Sequence, residues 1–334
     1  VLVAAESVRS DLLVHLKRRL KQNRARSGVS GWVGITFPEE GPNIGQSRRG
    51  WIFLKVELLR DGTRRVLKGA RVLALTADER LRRTPELDGL AEARCMVVGI
   101  GSVGAPVVFE LAKAGVGKID ICDFDRYDVN NSVRHVLSPS WAGNPKTIGV
   151  SVESRSLNPF VSVEPHHLSV GGGAADSLLL DKLLAGTEVV VDATGSQMAA
   201  RVLQRRCHEF EKPLVLASLT AASYGAEVAV FRPGGPCYYC FVLGQEDGSV
   251  PRPAEGPRSN TTPVGCSTPA FSGAGFDATA LAALTARTIV RLSGRCRYPA
   301  LDYDYVVVNF RGQYPWRQGR LNVHPGCPIC SRND

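Results

Sequence analysis

Two cysteine pairs, one glycine-rich turn and one isolated cysteine are the features of this chain whose spacing could do chemistry. Cys237-Tyr-Tyr-Cys240 and Cys327-Pro-Ile-Cys330 are C-x-x-C knuckles with 86 residues between them. Each knuckle can grip one metal ion with two thiolates, and four thiolates complete a closed tetrahedral zinc site. A closed site has no open position, so such a zinc stabilises and does not catalyse. Disulfides and a redox dithiol are the alternatives. Nine cysteines, an odd number in a long chain, point to a reducing compartment, and two knuckles argue against a redox dithiol. Cys266 sits in Pro263-Val-Gly-Cys-Ser-Thr-Pro269, outside any apolar run and outside both knuckles. Cys95, Cys122 and Cys207 lie in strand or helix patterns and read as core fillers.

Gly99-Ile-Gly101-Ser-Val-Gly104 reads G-x-G-x-x-G between an apolar run and a helical pattern. The glycines allow a tight turn, and the following helix start offers free N–H groups to phosphate. Asp123 lies 19 residues past Gly104 at a strand end, where a carboxylate can accept hydrogen bonds from ribose hydroxyls. A nicotinamide dinucleotide and ATP both satisfy this much. Arg134 and Lys146, 12 residues apart and downstream of that acid, favour ATP. Hydride transfer has no need of them, whereas a triphosphate needs cations to hold it and to stabilise developing charge.

The elements that must position these residues follow from periodicity. Residues 6–27 place Val8, Leu12, Leu13, Leu16 and Leu20 on one helix face. Three β-type runs follow, Trp32–Phe37, Trp51–Leu59 and Val66–Leu75, with Asp61-Gly62 as a turn signal. Residues 1–76 thus read as a small α+β piece belonging to a larger N-terminal domain. A polar helical stretch over 77–93 then leads into a buried strand over 94–100. Helices at 103–115, 144–157 and 175–185 alternate with strands at 118–123, 161–165 and 188–193. Two more helices and strands reach about residue 232. This alternation predicts an α/β fold with a Rossmann-like, doubly wound sheet over 77–334. Residues 244–265 are rich in Pro, Gly and polar side chains and read as a long loop, within a crossover loop set at 241–275. A helix at 276–293 and a strand pair near 303–314 precede the cysteine-bearing tail.

Hydrophobic residues make 44% of the 334-residue chain and charged residues 22%, an ordinary globular composition. No apolar run approaches the roughly 18 residues of a membrane span. No basic start precedes an apolar stretch and a small-residue cleavage site, so no signal peptide is expected. The net charge of +9 is uneven: residues 1–94 hold 19 Lys and Arg against 11 Asp and Glu, and the rest is nearly balanced. A basic first part suits a solvated face, an acidic partner or nucleic acid. The balanced remainder suits a catalytic domain that holds no nucleic acid.

The chain resembles the ubiquitin-like-protein activating superfamily of the ThiF/MoeB type. The resemblance covers residues 77–334. It rests on GIGSVG (99–104), DFDRYDVNNSVRH (123–135), GNPK (143–146), DATGS (192–196), the two knuckles, and Cys266 beyond a Pro-rich loop. It implies adenylation, with ATP and Mg2+, of the C-terminal glycine carboxylate of a β-grasp, ubiquitin-like protein. By the same resemblance Asp123 holds ribose, Asn131, Arg134 and Lys146 address the phosphates, and Asp125 lies near the α-phosphate or its metal. Cys266 would then take the acyl group as a thioester. A homodimer in the cytoplasm is expected, with no membrane or nucleic-acid partner. Arg80, Arg82 and Arg83 stand where relatives carry an arginine lent to the partner subunit. Three positions depart from the pattern: Asn130, His135, and Gly195 in place of an acid that serves magnesium. The metal then falls to Asp192 or Asp125, or is held differently. Three versions remain open: a conjugation pathway of the bacterial defence type with a conjugating enzyme, a sulfur-carrier pathway for thiamin or molybdopterin, and an inactive partner-binding domain.

Overall fold

Runs that are apolar at every position, rather than at alternate ones, need a core on both sides, and this chain builds two. The computed structural model describes residues 29–41, 45–59, 64–72, 75–257, 273–312 and 316–332. The helix expected over 6–27, the Asp61-Gly62 turn, Cys266 and the Pro-rich loop past residue 257 lie outside them. The chain divides into two compact units, one ending at Pro85 and one starting at Glu86.

In the first unit β1 (Val29–Glu40), β2 (Ser47–Leu58) and β3 (Arg64–Val72) form an antiparallel sheet in sequence order. A short helix, α1 (Ala77–Leu81), is capped by Thr76, whose hydroxyl accepts the Glu79 N–H at 3.1 Å. Arg82 is held inside this unit, 3.7 Å from Glu79 and donating to the Glu40 carbonyl. The helix expected over 77–93 is therefore five residues long. Pro85 and Gly89 (φ 99°) break the rest into 3-10 turns, Pro85–Leu87 and Leu90–Glu92.

The second unit holds an eight-stranded sheet in the order β11-β10-β9-β8-β7-β4-β5-β6. β4 (Arg94–Val98), β5 (Lys118–Cys122), β6 (Ser162–His166), β7 (Val189–Asp192) and β8 (Leu214–Leu219) are parallel. β9 (Gly225–Phe231), β10 (Tyr305–Asn309) and β11 (Trp316–Gly319) continue it antiparallel. One helix, not two, stands between residues 193 and 232, and the last strand begins at Trp316 rather than within 303–314. Along β4, Cys95 and Val97 enter one core while Met96 and Val98 enter the other. The first core is closed by α2 (Gly104–Ala114) and the long α7 (Gly275–Leu292), through Val107, Val108, Leu111, Leu281, Ala282 and Ile289. On the opposite face lie α4 (Ala174–Ala185), α5 (Gln197–Glu209) and α6 (Tyr238–Asp247), contributing Leu180, Leu184, Leu203, Tyr238 and Phe241. The expected crossover loop 241–275 is corrected at its first end: α6 runs to Asp247, and at the other end α7 begins at Gly275. Among the described residues no helix is long and apolar enough to cross a membrane.

Candidate functional site

The carboxyl ends of β4, β5 and β7 bring the sequence motifs together. In the turn between β4 and α2, Gly99 has φ 86°, and a Cβ there would come within 2.7 Å of Thr194 backbone. A Cβ on Gly104 would overlap the Gly99 carbonyl oxygen. Both glycines are therefore demanded by the chain's own packing. Gly101 is different: a Cβ built on it meets nothing within 4 Å. The fold itself does not need a glycine there, and the open space beside its backbone is what a closely approaching phosphate requires. Gly104→Ala is expected to destabilise the protein by about 3 kcal/mol or more, whereas Gly101→Ala leaves the unfolding midpoint nearly unchanged and weakens ATP binding at least about tenfold. Thermal unfolding and calorimetric ATP titration of the two variants check the contrast.

Asp123 follows β5 and grips the turn. Its Oδ2 accepts the Ile100 N–H at 2.6 Å and its Oδ1 accepts the Asp125 N–H at 2.7 Å. A carboxylate has about four acceptor sites, so both oxygens keep capacity for a ligand hydroxyl. Burial pushes the Asp123 carboxyl pKa up, opposed by the Lys146 charge and these two hydrogen bonds. Lys146 opens α3 (Lys146–Leu157), and its Nζ lies 2.8 Å from Asp125 Oδ2. Its side chain is only 12% exposed, against 45% for Asp125. Arg134 is half-buried, and its Nη1 donates to the Asn130 carbonyl at 3.4 Å. Burial lowers its pKa, with the nearby Asp128 charge opposing. Asn131 closes a reciprocal cap: its Oδ1 accepts the Asp128 N–H while Asp128 Oδ1 accepts the Asn130 N–H at 2.8 Å.

His135 is buried between these parts, its Nε2 3.0 Å from the Ile100 carbonyl and its Nδ1 accepting the Leu137 N–H at 3.2 Å. Burial lowers its pKa to about 4, with Lys146 and Arg134 adding repulsion. The folded protein thus resists a proton that the unfolded chain accepts near pH 6.5. Stability is expected to fall as pH drops from about 6.5 to 4, by roughly 3 kcal/mol, and His135→Gln should remove this component. Unfolding titrations of both proteins at pH 7 and pH 4.5 read the difference.

Asp192 ends β7 and is wholly buried. Its Oδ1 accepts both the Thr194 N–H and the Thr194 hydroxyl, and its Oδ2 has no hydrogen-bond partner. Burial raises its pKa. Gly195 has φ 65°, and a Cβ there would meet nothing within 4 Å. Of the two acids expected to serve magnesium, only Asp125 is accessible to solvent. Magnesium is commonly held by one or two carboxylates plus substrate phosphates. Among the described residues no three carboxylate, histidine or cysteine ligands converge except the four knuckle cysteines.

The sulfurs of Cys237, Cys240, Cys327 and Cys330 all lie within 4.8 Å of one another. Cys237 Sγ is 3.6 Å from Cys327 Sγ and 4.0 Å from Cys240 Sγ. Tetrahedral zinc with bonds near 2.3 Å spaces its sulfurs about 3.8 Å apart, so the set fits zinc. Cys237 ends the turn ahead of α6, and the second knuckle returns from the C-terminal tail. The sequence reading had no signal for two further anchors. Asn309 Oδ1 accepts the Ala254 N–H at 2.7 Å, and the Thr220 hydroxyl donates to the Ala254 carbonyl at 2.5 Å. Together they tie the chain beyond α6 to the carboxyl edge of β8.

The ThiF family matches residues 77–328. The chain is 28% identical over 315 residues to the uncharacterized protein y4oA of Sinorhizobium fredii, covering 88% of this chain and 53% of that protein. It thus spans about half of that relative's length. It is 31% identical to the SAMP-activating enzyme E1 of Haloferax volcanii over 74% of this chain and 83% of that one. It is 25% identical to the molybdopterin-synthase adenylyltransferase of Salmonella typhimurium, over 73% and 90%. The crystal structure of E. coli MccB with ATP superposes with a TM-score of 0.55 at 18% identity, covering 75% of this chain and 70% of that one, a likeness of fold.

Proposed function

The chain belongs to the ThiF family, and from that premise we propose that it adenylates the C-terminal glycine carboxylate of a ubiquitin-like protein. The observation that carries this reading is Lys146, a largely buried ammonium beside Asp125, whose charge also acts on the Asp123 carboxylate that grips a turn with an open central glycine. In this reading the phosphates lie along Gly101, Asp123 takes the ribose hydroxyls, and Asn131, Arg134 and Lys146 address the phosphate oxygens. A carboxylate oxygen attacks the α-phosphorus and its bond to the pyrophosphate oxygen breaks. Charge then grows on the leaving oxygens, where fixed cations are most effective. Asp125, rather than the enclosed Asp192, takes the magnesium role.

Cys266 is the proposed acceptor in a second step: its thiolate attacks the acyl carbon, a thioester forms and AMP leaves. Zinc in the four-cysteine set has a structural role only. The names of two relatives, SAMP-activating enzyme E1 and molybdopterin-synthase adenylyltransferase, support the adenylyltransferase reading, and the second keeps the molybdopterin version as the alternative. A homodimer, a cytoplasmic setting and a downstream conjugating enzyme complete the proposal. Incubation with ATP and a ubiquitin-like protein ending in glycine should release pyrophosphate. A reductant-sensitive conjugate should form with the wild type and disappear with Cys266→Ala while pyrophosphate release persists. If the conjugate survives in that variant, the thioester is on another residue; if no pyrophosphate appears with any such partner, the adenylation reading fails.

A further inference from the structure

We infer that His135 is a positioning residue that clamps the glycine turn to the two cation-bearing loops and so sets the nucleotide site. The inference rests on the proposed nucleotide role of this site. The contacts fix the state of the ring. A carbonyl can only accept, so Nε2 carries the proton and donates to the Ile100 carbonyl at 3.0 Å. A backbone amide can only donate, so Nδ1 is the bare nitrogen that accepts the Leu137 N–H at 3.2 Å. One neutral imidazole thereby joins two segments that are 37 residues apart in the chain.

Both residues it touches make a second backbone hydrogen bond as well. The Ile100 N–H is taken by Asp123 Oδ2 at 2.6 Å, so Ile100, between Gly99 and Gly101, is gripped at its own N–H and at its own carbonyl. The Leu137 carbonyl is taken by the Tyr127 hydroxyl at 2.8 Å. The Tyr127 ring meets the imidazole edge-on, centroids 5.3 Å apart. Tyr127 in turn exchanges backbone hydrogen bonds with the loop before Lys146: its N–H donates to the Asn144 carbonyl at 2.8 Å and its carbonyl accepts the Gly143 N–H at 2.9 Å. Three segments converge on this pair: the turn with the open Gly101, the loop that ends in Arg134, and the loop that ends in Lys146. His135 itself is buried. It acts through the orientation of the Ile100 peptide and of its neighbour Arg134.

The test compares three side chains in the full chain, with ATP itself as probe. His135→Phe keeps the ring volume and the Tyr127 contact but loses both hydrogen bonds. It is expected to weaken ATP affinity at least tenfold and to speed amide hydrogen exchange in peptides covering 99–104 and 128–137. His135→Gln offers a donor and an acceptor on one amide and is expected to hold affinity within about threefold of wild type. Should the Phe variant not fold, His135→Asn replaces it, because its shorter amide reaches one partner and not both. Wild-type affinity and exchange in the Phe or Asn variant overturn the inference, as does a Gln variant that falls as far as Phe. A wild type that does not bind ATP also overturns it. If ATP affinity follows the side chains but no ubiquitin-like protein elicits pyrophosphate, the clamp stands and the adenylation reading alone is lost.

Discussion

Lys146→Ala is expected to lower ATP-dependent pyrophosphate release at least about 100-fold while changing folding stability by less than about 1 kcal/mol. The two effects separate because the ammonium has two different neighbours. In the folded protein its partner is Asp125, 45% exposed, and an ion pair with one half-exposed member contributes little to stability. Toward a triphosphate the same ammonium is pre-positioned. Its stem is packed at the start of α3, its own N–H donates to the Asp125 carbonyl at 3.1 Å, and it need not reorganise as charge develops. Lys146→Gln should behave like Ala, since it keeps length and loses charge. Arg134→Ala should fall by a similar factor, and the double variant by less than the product, because both cations serve the same phosphate oxygens. Release within threefold of wild type in Lys146→Ala removes this residue from the chemistry.

The asymmetry between what the sequence shows and what the structure adds has a physical basis. Cys95 to Val98 and Val189 to Val191 announce parallel strands because alternate side chains enter the two cores, one on each face. The glycine turn, Asp123 and the two cations are legible because a nucleotide site of the proposed kind would call for those residue types around a strand–turn–helix junction. The antiparallel half of the sheet has no such local mark. β9 pairs with β10 across more than seventy residues, Ala229 opposite Tyr305, and nothing near either strand signals the other. The start of α6 is hidden for a related reason. Tyr238 and Phe241 join it to the second core through Phe231 and Tyr305, so tertiary packing overrides a stretch that reads as the margin of a loop. His135 is legible only as an unusual residue beside Arg134. Both its partners are backbone atoms, which leave no trace in residue identity.

Removing metal from the four-cysteine set is expected to free the C-terminal tail and leave the sheet folded. Wild-type protein should contain one zinc per chain, and Cys240→Ser or Cys327→Ser should lose it. Free thiols are mostly protonated near neutral pH, and zinc binds the thiolate. Zinc must displace those protons, so its affinity rises with pH, and a chelator should strip it faster at pH 6 than at pH 8. Structural zinc contributes on the order of 10 kcal/mol in small peptides that fold around it. Here the released segment is short, and the two cores do not depend on the metal. What remains to hold the tail is the buried Leu321, whose N–H donates to Asp304 at 3.0 Å, and His324 against Asp247 at 3.0 Å. Hydrogen exchange should therefore rise sharply over 322–332 and stay low over Tyr305–Asn309. A midpoint loss of several degrees should accompany it. An unchanged tail after complete metal removal, or purified protein without stoichiometric zinc, ends the case for a metal clip and leaves four packed thiols in its place.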